Sequence, residues 1–152
     1  MAGLLATATS GEVALVASTA KSVLQIKAPA NQRILIRQIE FYGKQPAGGT
    51  DTPVKVRMTR SSANFGTFSA AVASKNDFGA GETLQGTYGA NASVEPTSPT
   101  DSGRLWEFNP QTGAAFILPP DQPIIVPGGQ SVQFEMTSGA TPTVVATAVV
   151  EE

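Results

Sequence analysis

A chain of 152 residues with no cysteine and no histidine cannot build a disulfide scaffold, a thiolate or imidazole metal site, or a nucleophile–histidine catalytic device. Its net charge of −2, ten Lys and Arg against twelve Asp and Glu, provides neither the basic stripe of a nucleic-acid binder nor the acidity of a solvating tail. At this length one domain suffices, and it buries roughly 70% of the surface its unfolded chain would expose.

The start, MAGLLATATSGEVALVAS, is mildly apolar, has no Lys or Arg ahead of its hydrophobic part, and is interrupted by Gly11 and Glu12. No secretory signal is expected from it, and no run reaches the roughly 20 apolar residues that cross a bilayer. Helix signals are nearly absent, because Gly, Pro, Ser, Thr or Val breaks every Ala-rich piece. Strand signals recur instead. Glu12 to Ala17 and Ser22 to Lys27 are the first two. Arg33 to Tyr42, RILIRQIEFY, is the longest. Strict alternation would put Ile34 and Ile36 on one face and Ile39 and Phe41 on the other. One extra residue at Arg37-Gln38 brings all four to the core, so a β-bulge is predicted there.

PVKVRMT follows, with Val54, Val56 and Met58 inward and Lys55, Arg57 and Thr59 outward. Residues 61–103 turn rich in Gly, Ser, Asn, Thr and Pro and read as a long insertion, with short strands expected near Thr67 to Val72 and Thr83 to Tyr88. Leu105 to Phe108 and Ala115 to Leu118 are strands ended by prolines. Ile124 to Val126, between Pro123 and Pro127, fits an edge or corner, since proline cannot donate to a ladder. Pro127-Gly128 signals a type II turn. Val132, Phe134 and Met136 alternate with polar residues, and Thr143 to Val150 places valines on both faces, as for a strand covered on each side. The pattern predicts an all-β fold: a single antiparallel β-sandwich, a jelly roll of about eight strands with a long insertion.

Little chemistry is available. Glu107 and Glu135 are the only candidates for a carboxylate pair of glycosidase type, but both fit outward strand positions better. Asp51, Asp77 and Asp101 lack calcium-loop spacing and read as solvated turn residues. Gly48-Gly49 and Gly128-Gly129 lack phosphate-loop context and read as turns. Trp106, alternating with Phe108, reads as core in preference to a sugar-stacking platform. No catalytic residue, cofactor or metal is expected, and the chain reads as a non-enzyme.

Contact residues are a different matter. Only 14% of residues are charged while 41% are hydrophobic, so part of the surface is expected to lie against other chains. Lys55, Arg57 and Arg60, joined by Arg37, form either a docking face for an acidic partner or a solvated sheet face. Phe65, Phe68, Phe78 and Tyr88 in the insertion either cap the sandwich or, the reading taken here, lie at a subunit or partner contact, because aromatics are enriched in interface cores.

Taken together, RILIRQIEFYG, PVKVRMTR, the soft insertion, WEFNPQTGAAFILPPDQPIIVPGGQSVQFEM and the terminal VVATAVVEE resemble the small jelly-roll decoration, or cement, proteins of tailed bacteriophages. The resemblance spans about Gln32 to Glu152. It implies a structural virion protein on the outer surface of the capsid, made in the host cytoplasm. It further implies a homotrimer whose partner is the major capsid protein, with no nucleic acid and no membrane involved. Residues 1–12 would then be an arm reaching a neighbour, ahead of a jelly-roll domain at 13–152. A carbohydrate- or receptor-binding jelly-roll head of a tail or adhesin is the alternative.

Overall fold

Period-2 alternation runs through nearly every segment of the computed structural model, which describes residues 3–49 and 51–152. Among these residues are thirteen strands. They are β1 (Leu5–Thr9), β2 (Val13–Ala14), β3 (Lys21–Lys27), β4 (Ile34–Lys44), β5 (Val54–Ser61), β6 (Thr67–Ala70) and β7 (Val72–Lys75). Then come β8 (Thr87–Val94), β9 (Thr100–Phe108), β10 (Ala114–Ile117), β11 (Ile124–Val126), β12 (Ser131–Ser138) and β13 (Thr143–Glu151). Two antiparallel sheets pack face to face. Sheet A has the order β10-β4-β13-β1-β7, with β11 also on β4 and β2 on β13; sheet B has the order β6-β8-β3-β12-β5-β9.

The all-β sandwich is as expected, but the strand count exceeds the eight of a simple jelly roll. Two segments explain the excess. Residues 5–9, expected as part of an arm, form β1 in the interior of sheet A. Ala6 and Ala8 face the core at 0% exposure, and β1 is hydrogen-bonded to β13 on one side and β7 on the other. The supposed insertion supplies strands to both sheets: β6 joins sheet B, the chain crosses at Ala71, and β7 joins sheet A. The strand expected at Thr83 to Tyr88 begins four residues later and runs to Val94 beside β3.

Between the sheets lies one core. Phe41, Phe134, Leu24, Ile26, Met58 and Met136 are among its fully buried side chains. Phe41 is the hub of an aromatic cluster, with ring centroids 5.7 Å from Phe108, 5.9 Å from Phe134, 6.0 Å from Trp106 and 6.2 Å from Phe116. Trp106 and Phe116 sit on the two edge strands β9 and β10, so they close the open side of the sandwich between the sheets.

The bulge in β4 is where alternation predicted it. Val149 pairs with Gln38 and Val150 with Ile36, so Arg37 is the unpaired extra residue. Ile34, Ile36, Ile39 and Phe41 are all buried as a result. The outer edge of β4 is shared by two strands, β10 on one side of the bulge and β11 on the other. Ile124–Val126 pairs with β4 alone, the edge position that its flanking prolines require. The turn into β12 runs Pro127-Gly128-Gly129-Gln130. Gly129 has φ of +75° there and the Gln130 N–H donates to the Pro127 carbonyl at 3.1 Å.

Candidate interaction surface

Each sheet turns a second face outward, and the two outer faces differ in kind. On sheet B the centre is polar: Gln133 stands between Thr59 and Gln25 in register. Alternation sends these side chains outward, yet Gln133 and Ser131 are fully buried and Gln25, Thr59 and Ser61 nearly so. The chain itself covers them. Residues 62–66 run back over this face, where the Gln25 Nε2 donates to the Phe65 carbonyl at 2.8 Å and Lys27 Nζ lies 4.0 Å from the Phe65 ring centroid. Beneath, the Gln133 amide donates to Ser131 Oγ at 2.5 Å and accepts from Thr59 at 3.2 Å and Ser61 at 3.4 Å. Paired in this way, the buried amide meets the requirement that polar groups removed from water be satisfied.

Beyond that covered patch, sheet B is charged. Arg57 donates to Glu135 at 2.6 Å and lies 3.7 Å from Asp101. Lys55 and Glu107 are register partners. The expected basic cluster is therefore interleaved with acids, and it is smaller than expected. Arg60 pairs with Val132 and takes the opposite parity from Lys55 and Arg57. Arg37 belongs to sheet A, where it donates to Glu151 at 2.6 Å and to the Pro120 carbonyl at 2.7 Å. Glu107 and Glu135 flank β5 two strands apart and two residues out of register. That offset puts their backbones roughly 12 Å apart by strand spacing, and the Glu135 carboxylate is held by Arg57.

The loop aromatics scatter. Phe65 is half-buried under Lys27. Phe68 is half-buried and packs over Gly89, where an added Cβ would come within 2.7 Å of it. Phe78 is 86% exposed. Tyr88 is no contact residue: it points into the core at 8% exposure, because its strand position alternates inward with Ala90. Its phenol donates to Glu152 Oε1 at 2.5 Å, and that carboxylate also accepts from the Gly86 N–H at 2.9 Å and the Gln85 N–H at 2.6 Å. Burial, then the hydrogen bond to and charge of Glu152, push the tyrosine well above its ordinary value.

The three aspartates hold turns. The Asp77 carboxylate accepts from the Gly79 N–H at 2.9 Å, that of Asp101 from the Gly103 N–H at 2.8 Å, and that of Asp51 from the Asn109 amide. An open cleft of about 1010 Å³ lies beside the start of β1, lined by Gln32, Asn76, Asp77, Glu82 and Gln85 among others.

Sheet A's outer face is a different surface. Across its strands one row reads Ala115, Glu40, Thr147, Thr9, Val72, and the next reads Ile117, Gln38, Val149, Thr7, Ser74. A third runs Ile125, Leu35, Glu151, Leu5. These residues are exposed or half-exposed, with Ile117 at 79% and Val72 at 67%. Sequence reasoning passed over them, although the outward valines of the last strand were a usable signal. Most of their polar side chains are already paired with one another or with neighbours. Thr147 donates to Thr9 at 3.2 Å, Thr7 to Asn76 at 2.8 Å, Gln38 to Glu40, and Arg37 to Glu151.

Neither a protein-family model nor a curated protein matches this chain.

Proposed function

We propose that this protein is a decoration, or cement, protein: a structural component of a phage virion that binds the outside of the assembled head as a homotrimer. The observation that carries the reading is the broad, weakly charged outer face of sheet A, which offers contact area and shape and stands apart from any constellation of reactive groups. The sequence resemblance to phage decoration proteins supports it. Such a protein needs no chemistry. Binding the assembled shell in preference to free major capsid subunits stabilises the shell by the differential affinity, about 2.7 kcal/mol per site at a free concentration of a hundred times Kd. The experiment is to mix purified protein with undecorated heads and follow their melting. A raised melting temperature supports the reading and an unchanged one sinks it.

A saccharide- or receptor-binding head is the second reading, favoured by one observation: the polar cleft beside β1 adjoins the exposed Phe78, which follows the cleft residue Asp77. Saccharide titration watched through Asn76 and Gln85 resonances separates the two readings, since a cement protein shows no saturable shift.

A further inference from the structure

We propose that the outer edge of β9 accepts an extended segment of another protein as an added strand, one that presents a basic residue followed by two apolar ones. The inference goes beyond the decoration reading and stands or falls without a capsid.

The backbone leaves this edge open. β9 is the outermost strand of sheet B and pairs with β5 alone. Along β5 the N–H and C=O groups of successive residues turn to alternate neighbours. Ser102 Oγ donates to the Met58 carbonyl at 2.6 Å, so Met58 faces β9, as do Val54 and Val56 at the same parity. Their partners Phe108 and Trp106 therefore bond inward, and Leu105 and Glu107 turn their N–H and C=O groups to solvent. Among the described residues no other backbone group meets them.

The other edges are better guarded. On sheet A, β10 and β11 are four and three residues long and lie among Pro119, Pro120, Pro123 and Pro127, and β7 has four residues. At the far side of sheet B, β6 has four residues and a register break. β9 has a break too, but it is confined to residues 102–104 opposite Met58, and residues 105–108 pair regularly.

The side chains say what fits. Leu105, 68% exposed, and Glu107 stand on the outer face of the sheet, and among the described residues Glu107 makes no ion pair. Trp106 lies between them at the mouth of the sandwich, half-buried, its ring centroid 6.0 Å from those of Phe41 and Phe116. A new strand running antiparallel, as the pairs of sheet B do, sets one residue opposite each of the three. Lysine or arginine suits Glu107, an apolar residue over Trp106 extends the aromatic cluster, and another apolar residue covers Leu105. A second β9 does not supply this pattern. Two-fold pairing of β9 with itself sets Glu107 against Leu105, against Glu107 or against the break at residues 102–104. Glu107 thus disfavours another copy and selects a base in the partner.

The test is an NMR titration with a capped heptapeptide, Ser-Thr-Lys-Val-Val-Thr-Ser. Saturable shifts and slowed hydrogen exchange are expected at the Leu105 and Glu107 amides, with the Glu-for-Lys peptide binding about fivefold more weakly. Leu105→Pro removes an outward donor that has no backbone partner in the protomer, so folding is retained, and affinity should fall at least about tenfold. Should that variant fail to fold, Glu107→Lys serves in its place, and it should reverse the preference toward the Glu peptide. An absence of saturable shifts, shifts away from β9, binding undiminished by Leu105→Pro, or an unreversed preference in Glu107→Lys overturns the inference. So does protection of the same amides on raising the protein concentration alone, which assigns the edge to a second copy.

Discussion

Tyr88 and Glu152 share a hydrogen bond of 2.5 Å at the mouth of the sandwich, and together with the Gln85 and Gly86 N–H groups it ties the chain after β13 to β8 and the residues just before it. Tyr88 stays protonated in the fold, its phenol raised by burial and by Glu152. The unfolded chain releases that proton near pH 10, so above it the folded state binds more protons and stability falls as pH rises. The loss from this group is at most about 1.4 kcal/mol per pH unit above 10. Tyr88→Phe should lose about 1 kcal/mol at pH 7 but decline less steeply in alkali. Urea unfolding of both proteins at pH 8 and at several values above 10 measures the difference, and parallel curves would contradict it.

Arg37 is the extra residue of the β4 bulge, and its guanidinium closes the bulge onto Glu151 and the Pro120 carbonyl. Both side chains of the ion pair are about a quarter exposed, so the pair should contribute more than a fully solvated one. A double-mutant cycle with Arg37→Ala and Glu151→Ala should give a coupling energy of about 1 kcal/mol. Strict additivity would show that the two side chains only coincide.

Phe41 and Phe78 lie at opposite extremes of exposure, 1% and 86%. Phe41→Ala removes the hub of the aromatic cluster and should cost about 3–5 kcal/mol. Phe78→Ser should change stability by no more than about 0.5 kcal/mol. Thermal melts suffice, and a large loss from Phe78→Ser would mean that its loop packs in a way the structure does not display.

Gly66 ends the segment that covers the polar centre of sheet B. It has φ of +74°, and a Cβ there would sit 2.4 Å from the Val94 carbonyl oxygen. Gly66→Ala should therefore destabilise by roughly 2 kcal/mol or more. It should also speed hydrogen exchange at the side-chain amide of Gln25, which donates to Phe65. Unaltered exchange together with unaltered stability would remove Gly66 as the determinant.

Much of the fold was legible because its signals are local. Val54, Val56 and Met58 alternate cleanly, and four large residues of β4 could reach the core together only through a bulge at Arg37. Where the signal depended on partners, it failed. Leu5–Thr9 has only alanines to mark its inner face, and alanine is a weak strand former, so β1 became visible only with β13 and β7 beside it. Arg60 lies on the other face from Lys55 and Arg57 by plain alternation along β5, whereas Tyr88 reads as a loop aromatic until the pairing of β8 with β3 turns it inward. The outer face of sheet A was hidden for a related reason. Thr, Val, Gln and Ile are scattered over five strands, and only the strand order gathers them into one surface.

The pairing of β1 with β13 sets a kinetic condition on the molecule. Residues 5–9 leave the ribosome early and can meet β7, but find their second hydrogen-bonding edge only when residues 147–151 arrive, so the middle of sheet A is completed last and folding is slow for the size of the domain. Until then the segment LATAT has one edge without its partner. Alanine and threonine, in place of valine and isoleucine, keep that waiting strand less prone to pair with the wrong chain.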